Sequence, residues 1–314
     1  MTLTQQKACP RETYGRALLA AARQDQRVVA LDADLSGSTM SCLVRQEFPE
    51  RFFEMGIAEQ NMVAVGAGLS LTGKIPFVHS FSMFVTGRAF EQVRQSVALP
   101  KANVKLVGSS YGFSDFGDGA THQSLEDAAI MRSIPNMTVL IPGDPKEVEA
   151  AVALALAIEG PVYIRISRSE MAFLPVSSTA DSALAPVVVA DGTDVAVVAN
   201  GIMVERALQA KALLANEGVS LRVINVPSLK PLHGAALLEL VQGCRGVVTA
   251  EEHTVMGGLG SAVLEVMAAQ PLPLEMVGVQ DCFGQSAWSH EELLQHYGLT
   301  SEAIAEKARL LARR

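Results

Sequence analysis

Cysteine and tryptophan are rare in this sequence. Its 314 residues include four cysteines and one tryptophan, and no two cysteines form a C-x-x-C pair. Neither a zinc cluster nor a thioredoxin-type redox pair is therefore indicated. So few cysteines in a chain of this length are typical of a reducing cytosol, and we expect a cytoplasmic protein.

Positive charge and long apolar runs are also scarce. Lys and Arg number 25 against 33 Asp and Glu, which gives a net charge of −8. An acidic chain without a basic cluster is a poor candidate for binding nucleic acid or an anionic membrane. The apolar runs are too short and too polar to span a bilayer, and the N-terminal residues lack the pattern of a secretory signal. We expect neither a membrane nor a nucleic-acid partner.

Short β-branched runs alternate with helical stretches along the chain. This alternation predicts an α/β fold with a mainly parallel sheet covered by helices on both faces. The strands predicted for this first sheet are Val28–Asp32, Phe52–Glu54, Ile75–His79, Val104–Ser109, Thr138–Ile141 and Val162–Ile166. A second series has predicted strands at Val195–Ala199, Leu221–Val226, Val247–Glu251 and Leu274–Val279.

A stretch rich in Ser, Ala and Pro separates the two series. Such a composition is typical of a linker between domains. We therefore predict one α/β domain over residues 1–170, a linker over residues 171–192 and a smaller α/β domain over residues 193–314.

Unusual polar residues follow the predicted strands of the first domain. In chain order they are Asp34, Glu59, His79, the loop from Ser110 to His122, and Arg168. Ligands of open parallel sheets bind beyond the carboxyl ends of the strands. These positions therefore predict a single composite site.

Each of these features also has an ordinary structural explanation. Glu59 stands in the first turn of a predicted helix, where a carboxylate meets free N–H groups and the helix dipole. Phe81 and Phe84 are three residues apart and could belong to the core. His122 and Arg168 are compatible with surface positions, where an ion pair is worth about 0–1 kcal/mol. Composition and spacing alone leave these alternatives open.

The segment Gly117-Asp118-Gly119 imitates the start of a metal- and diphosphate-binding motif. That motif needs an Asn about 25–30 residues further on, which places a second oxygen ligand on Mg²⁺. Asn136 comes too early for this role. We therefore expect no metal site in this chain.

Several segments together resemble the second half of transketolase. They are Gly56–Leu71, His79–Arg94, Gly117–Asp144 and Tyr163–Glu170. The resemblance covers essentially the whole chain and implies a pyrimidine-binding domain followed by the transketolase C-terminal domain. It also implies an activity that depends on thiamine diphosphate: transfer of a two-carbon ketol unit from a ketose phosphate to an aldose phosphate.

The resemblance implies roles for residues around the cofactor. Glu59 matches the glutamate that hydrogen-bonds N1′ of the thiamine aminopyrimidine, which promotes loss of the thiazolium C2 proton. Phe81 and Phe84 match the aromatic side chains that stack on the pyrimidine. Asp34 is expected to line the cofactor site, and His79 is expected to line the substrate site.

Substrate contacts are implied in the same way. Asp118 and His122 match residues that read the substrate hydroxyls, and His122 would also donate to a developing alkoxide. Arg11 and Arg168 match the arginines that hold the terminal phosphate of the sugar.

Two positions depart from the family pattern. Ser110, which we expect among the substrate-binding residues, stands where the family has a histidine that contacts the phosphate, and this puts the usual pentose-phosphate preference in question. Gly87 stands where the family has a third aromatic residue of the pyrimidine wall.

The first half of a transketolase, which binds the diphosphate and Mg²⁺, has no counterpart in this sequence. The chain therefore resembles the C-terminal subunit of a split transketolase, with the apulose-4-phosphate type among the options. This implies a partner, the N-terminal transketolase section on a separate chain, that holds the diphosphate end of thiamine diphosphate and the Mg²⁺. The expected assembly is a heterotetramer with self-association of this chain.

Two other families within the same superfamily share much of the pattern. One comprises the beta subunits of 2-oxoacid dehydrogenases and the other deoxyxylulose-phosphate synthase. A different class of function is a non-catalytic binding or assembly subunit that descends from such an enzyme.

Overall fold

The computed structural model describes residues 6–313 as an α/β molecule with two main sheets and a third sheet of two short strands. Its strands are β1 (Lys7–Ala8), β2 (Val28–Asp32), β3 (Phe52–Glu54), β4 (Ile75–Phe81), β5 (Lys105–Ser109), β6 (Thr138–Leu140), β7 (Val162–Ile166), β8 (Met171–Ala172), β9 (Val187–Ala190), β10 (Val195–Ala199), β11 (Leu221–Asn225), β12 (Ser228–Lys230), β13 (Val247–Thr254) and β14 (Leu274–Val279). All the strands predicted from the sequence occur, with ends shifted by a few residues at most.

Helices connect most of these strands. They are α1 (Pro10–Gln24), α2 (Ser36–Thr39), α3 (Cys42–Glu47), α4 (Glu59–Leu71), α5 (Phe90–Gln92), α6 (Asp127–Ser133), α7 (Pro145–Ala157), α8 (Met203–Ala215), α9 (Gly234–Val241), α10 (Leu259–Met267), α11 (His290–His296) and α12 (Ser301–Ala312). Two π-helical segments, Phe84–Arg88 and Val93–Ala98, flank α5, and short 3₁₀ turns span Pro49–Arg51 and Gly119–Thr121. No helix between residues 6 and 313 combines the length and apolar character needed to cross a bilayer.

The first sheet has the strand order β12-β6-β7-β5-β4-β2-β3. Every pairing in it is parallel except that of β12 with β6. Alternate side chains of β2 enter different cores, since Val28 and Ala30 pack with α1 and α7 while Val29 and Leu31 pack with α4. Helices therefore cover both faces, as the sequence predicts.

The second sheet has the order β14-β13-β10-β11-β9, with β9 antiparallel at its edge. Helices α8 and α12 pack on one face and α9 and α10 on the other. This is the smaller α/β unit that the second series of strands predicts.

The two units are joined more closely than a simple linker would require. Strand β12 leaves the second unit and pairs with β6 at the edge of the first sheet. One hydrophobic core continues from the α4 side of the first sheet to α9 and α10. Residues 171–192, predicted as a linker, include β8, which pairs with β1, and β9, which belongs to the second sheet.

After β4 the chain turns directly into a helical stretch that contains the π-helical segment Phe84–Arg88. Strand β4 runs two residues further than predicted, to Phe81. The wide turns of a π-helical segment commonly mark functional sites. The end of β4 and this turn together carry three of the residues described below.

Candidate active site

A cavity of about 460 Å³ opens at the carboxyl edge of the first sheet. Its lining comes from the ends of β2 and β4, the start of α4 and the loop after β5. The lining residues are Ala33, Asp34, Leu35, Ile57, Glu59, Phe81, Phe84, Arg88, Thr121 and His122. The chain thus brings five of the predicted site residues, Asp34, Glu59, Phe81, Phe84 and His122, into one pocket.

Glu59 is the first residue of α4 and is only 1% exposed. Its carboxylate accepts hydrogen bonds from the Ser80 hydroxyl at 3.0 Å and from Nη1 of Arg88 at 2.6 Å. A first-turn glutamate commonly caps its own helix, but here the side chain is bonded to β4 and to the π-helical turn. The geometry therefore favours a carboxylate that is presented to the cavity.

An aromatic wall stands beside this carboxylate. The rings of Phe81 and Phe84 are stacked with centroids 6.2 Å apart and an angle of 21° between their planes. His122 meets Phe84 edge-on at 5.2 Å and Phe81 at 6.2 Å, and its Nδ1 lies 2.9 Å from the Thr121 hydroxyl. Phe81 is buried, yet both phenylalanines line the cavity, so they are not core residues alone.

Arg88 belongs to the same cavity, although it is not among the residues predicted for the site. Its guanidinium carbon lies 4.4 Å from the centroid of the Phe84 ring while Nη1 bonds Glu59. A signal for it exists in the sequence, since Arg88 lies within the same family-like segment, His79–Arg94, that carries both phenylalanines. In the structure, Arg88 is the last residue of the π-helical segment, and its guanidinium reaches Glu59 from there.

The loop after β5 carries three of the predicted substrate residues, Ser110, Asp118 and His122. Asp118 is exposed just before the 3₁₀ turn Gly119–Thr121. Arg168 follows β7 and donates from Nη1 to the buried carboxylate of Asp115 at 2.9 Å. Burial raises the pKa of Asp115, Arg168 opposes this shift, and Asp118 adds to it. Asp115 is not among the predicted site residues, because nothing in the spacing distinguishes it from other loop acids.

Arg11 and Arg168 lie on neighbouring segments of the chain. Strands β1 and β8 pair with Ala8 opposite Met171, and the Cys9 thiol lies 3.5 Å from the carbonyl oxygen of Arg168. Arg11 itself makes one long hydrogen bond, 3.5 Å to the Ser38 carbonyl, and its buried Nε has no partner among the described residues. The site therefore has two arginines near one edge, one of them paired and the other largely free.

Five predicted residues lie outside the cavity lining: Arg11, Asp118 and Arg168, described above, and His79 and Ser110, which are buried. His79 is fully buried, and because the Leu31 carbonyl can only accept, Nδ1 of His79 donates to it at 2.9 Å. Nε2 therefore accepts from the Tyr14 hydroxyl at 2.6 Å, and burial lowers the pKa of His79 to about 4. Ser110 is also buried and adopts a positive φ of 57° directly after β5. Neither side chain is presented to the pocket.

Asp34 reaches the cavity through an unusual backbone conformation. Its φ is 64°, in the left-handed region, and its N–H donates to Glu54 at 2.8 Å. Aspartate tolerates this region better than most residues. The strained turn after β2 thus holds Asp34 at the rim of the pocket.

The pocket suits one end of thiamine diphosphate. An aminopyrimidine ring needs a flat apolar wall and a carboxylate on its edge, and Phe81, Phe84 and Glu59 supply both. Across residues 6–313, no three His, Cys, Asp or Glu side chains are grouped so as to hold a metal ion. The aromatic wall and the Glu59 carboxylate are the features that fit the pyrimidine end of the cofactor.

The fold and pocket define an α/β protein with a ligand site at a sheet edge, and comparison with known proteins gives its family. The model of the transketolase pyrimidine-binding domain matches residues 7–172, and that of the transketolase C-terminal domain matches residues 185–304. The chain belongs to the transketolase family and corresponds to its C-terminal section. Membership implies dependence on thiamine diphosphate and a transketolase-type transferase function.

Several relatives have nearly the same length as this chain. A putative transketolase C-terminal section of Methanocaldococcus jannaschii is 41% identical over 95% of this chain and 94% of its own. The 6-deoxy-6-sulfo-D-fructose transketolase subunit SqwH of a Clostridium species is 42% identical over 95% and 92%. One of the subunits of the apulose-4-phosphate transketolase of Phocaeicola vulgatus is 35% identical over 96% of each chain.

A solved structure and a full-length enzyme are also similar to this chain. A split-gene transketolase described as an inactive beta4 tetramer has a TM-score of 0.87 and 42% identity, covering 98% of this chain and 99% of its own. Human transketolase is 35% identical over 96% of this chain but only 49% of its own. The chain thus spans about half the length of a full-length transketolase.

Proposed function

We propose that this chain is the pyrimidine-binding subunit of a split, thiamine-diphosphate-dependent transketolase. It would transfer a two-carbon ketol unit from a ketose phosphate to an aldose phosphate. The observation that carries the proposal is the buried Glu59 carboxylate at the base of a cavity walled by Phe81 and Phe84. Residues 1–170 would form the pyrimidine-binding domain, with residues 171–192 linking it to a C-terminal domain over residues 193–314.

Glu59 is the residue proposed to activate the cofactor. When bound, thiamine diphosphate would supply the nucleophilic carbon that carries the two-carbon unit. Glu59 would hydrogen-bond N1′ of the aminopyrimidine and hold a proton there. Phe81 and Phe84 would orient the ring by stacking and exclude water from the Glu59 contact. Asp34 would line the rim of the same pocket.

The remaining site residues are proposed to act on the sugar. His122, which stands edge-on to Phe84, would donate to the oxygen that gains negative charge. Asp118 would read a substrate hydroxyl, and Arg11 and Arg168 would hold the terminal anionic group. His79 and Ser110 are buried beneath this surface, so direct substrate contacts by them would require the chain to rearrange.

A partner chain, equivalent to the N-terminal section of a transketolase, is part of the proposal. This N-terminal partner would hold the diphosphate and the Mg²⁺, and the active site would form where the two chains meet, in a cytoplasmic heterotetramer. The description of the solved relative as an inactive beta4 tetramer supports this requirement. The apolar side chain of Ile57, 76% exposed on the lip of the cavity, would be covered in such an assembly.

The test is co-expression with the product of a neighbouring gene for the N-terminal partner, followed by a donor screen with thiamine diphosphate and Mg²⁺. The donors should include a pentulose phosphate, apulose 4-phosphate and 6-deoxy-6-sulfo-D-fructose, because relatives are named for the last two. We expect ketol transfer from at least one ketose by the pair and none by either chain alone. Turnover of pyruvate or a branched oxoacid instead would assign the chain to a related enzyme. Cofactor binding without any turnover would indicate a non-catalytic subunit.

A further inference from the structure

Arg88 contacts Glu59 and Phe84, two of the side chains that bind the aminopyrimidine in the proposed function. Its Nη1 donates to Glu59 at 2.6 Å, and its guanidinium group lies over Phe84 with 4.4 Å from the central carbon to the ring centroid. Glu59 is 1% exposed, whereas the Arg88 side chain is 44% exposed. The arginine therefore reaches into the pocket from its solvent side.

A guanidinium and an aminopyrimidine offer the same recognition features. Each is planar, each stacks on an aromatic face, and each forms a hydrogen bond in its plane with a carboxyl group: the guanidinium donates an N–H to a carboxylate, and N1′ of the aminopyrimidine bonds a carboxyl group that holds a proton. The face of Phe84 that Arg88 covers cannot stack on an aminopyrimidine at the same time, and Arg88 already occupies one oxygen of Glu59.

We propose that Arg88 is a plug that occupies the aminopyrimidine position in the free chain and must swing away from Glu59 and Phe84 before the cofactor enters. This inference rests on the proposed function, since it takes Glu59 and Phe84 as the cofactor contacts. It adds a residue of this chain that competes with the cofactor for them.

The contacts of Arg88 permit such a movement. Among the described residues, the hydrogen-bonding and ring contacts of its side chain are those with Glu59 and Phe84 alone. Arg88 is also the last residue of the π-helical turn Phe84–Arg88, so its side chain can swing outward without breaking a strand or a regular helix. Because the Arg88 side chain is 44% exposed, its guanidinium can move into solvent while a ligand takes over its contact with Glu59.

The test measures binding of thiamine, which carries the aminopyrimidine but no diphosphate, to the full-length chain by isothermal titration calorimetry. Arg88→Ala removes the plug, and Arg88→Met removes its charge while keeping most of its length. Arg94→Ala is the matched control, because Arg94 is an exposed arginine nearby whose side chain makes no described hydrogen bond or ion pair. We expect thiamine to bind Arg88→Ala and Arg88→Met about tenfold more tightly than the unaltered chain, with no change for Arg94→Ala.

Guanidinium chloride provides a second readout. At low millimolar concentration it should refill the position vacated in Arg88→Ala and weaken thiamine binding, while sodium chloride of equal ionic strength should have a smaller effect. Equal thiamine affinity in Arg88→Ala and the unaltered chain would overturn the proposal that Arg88 is a plug. A weaker affinity in Arg88→Ala would also overturn it, because Arg88 would then be helping to hold the ligand.

A failure of the proposed function would give a different binding result from a failure of the plug proposal. In the Arg88→Ala background, Glu59→Gln should reduce thiamine affinity if Glu59 contacts the aminopyrimidine. Thiamine that binds Arg88→Ala more tightly than the unaltered chain, and just as tightly after Glu59→Gln, would refute the Glu59 contact and with it the plug at that carboxylate.

Discussion

Asp115 and Arg168 form an ion pair of 2.9 Å in which the carboxylate is buried and the guanidinium is 38% exposed. The second oxygen of Asp115 is buried and has no hydrogen-bond partner within the described part of the chain. A negative charge therefore stands against the arginine that is proposed to hold the terminal anionic group of the sugar. With Ser110 in place of a histidine, this edge of the site is poorer in positive charge than the resemblance alone implies.

Asp115→Asn should strengthen binding of a phosphorylated ketose. Asparagine retains an oxygen that accepts from Arg168 but removes the opposing charge, so KM for a ketose phosphate should fall by about threefold to tenfold in the reconstituted pair. Steady-state kinetics measure this, with Asp181→Asn as a control at an exposed position without described contacts. An unchanged or higher KM would mean that Asp115 matters only as a support for Arg168.

Glu59→Gln should abolish most of the turnover of the pair. Glutamine keeps the size of the side chain but cannot hold and release a proton, and general acid–base groups contribute about 10²–10⁴-fold. The turnover number of the reconstituted enzyme should fall by that order, while Glu91→Gln, on exposed α5, should leave it unchanged. Near-normal turnover of Glu59→Gln would show that Glu59 does not activate the cofactor.

His79 should make the chain less stable in acid. Its ring is buried and neutral, and its pKa falls from 6.5 to about 4 on folding, so the unfolded chain binds the proton more readily. Stability from this residue is complete above pH 6.5 and is lost as the pH falls towards 4. The loss at pH 5 relative to pH 7 is about 2 kcal/mol.

Urea unfolding at pH 7 and pH 5 checks the His79 prediction. The free energy of unfolding of His79→Gln should fall between these two pH values by about 2 kcal/mol less than that of the unaltered chain. An identical fall in the free energy of unfolding of both proteins would show that residues other than His79 cause the acid sensitivity.

The sequence predicts the parallel strands well because β-branched runs mark them. It does not predict β12, whose three residues lie within a Pro-containing segment and take their strand form only by pairing with β6. Strand β9 is missed for a similar reason, since its valine run follows a Ser-, Ala- and Pro-rich stretch. Both depend on a partner strand that local composition does not reveal.

The sequence predicts the site residues that follow closely after strand ends. It does not predict those whose side-chain position depends on the conformation of a turn. Glu59, Phe81 and Phe84 meet in the cavity because β3 and β4 lie on either side of β2 and end at the same edge of the sheet. His79 also ends a predicted strand, but β4 continues past it and its ring points to Tyr14. Arg88 reaches Glu59 from the end of a π-helical segment, which the sequence pattern does not reveal.

The most direct measurement is equilibrium binding of thiamine diphosphate, in the presence of Mg²⁺, to this chain alone, to the N-terminal partner alone and to the two together. Our account places the two ends of the cofactor on different chains, so tight binding should require both, and Glu59→Gln should weaken binding by the pair. Equally tight binding by this chain without the N-terminal partner would contradict it.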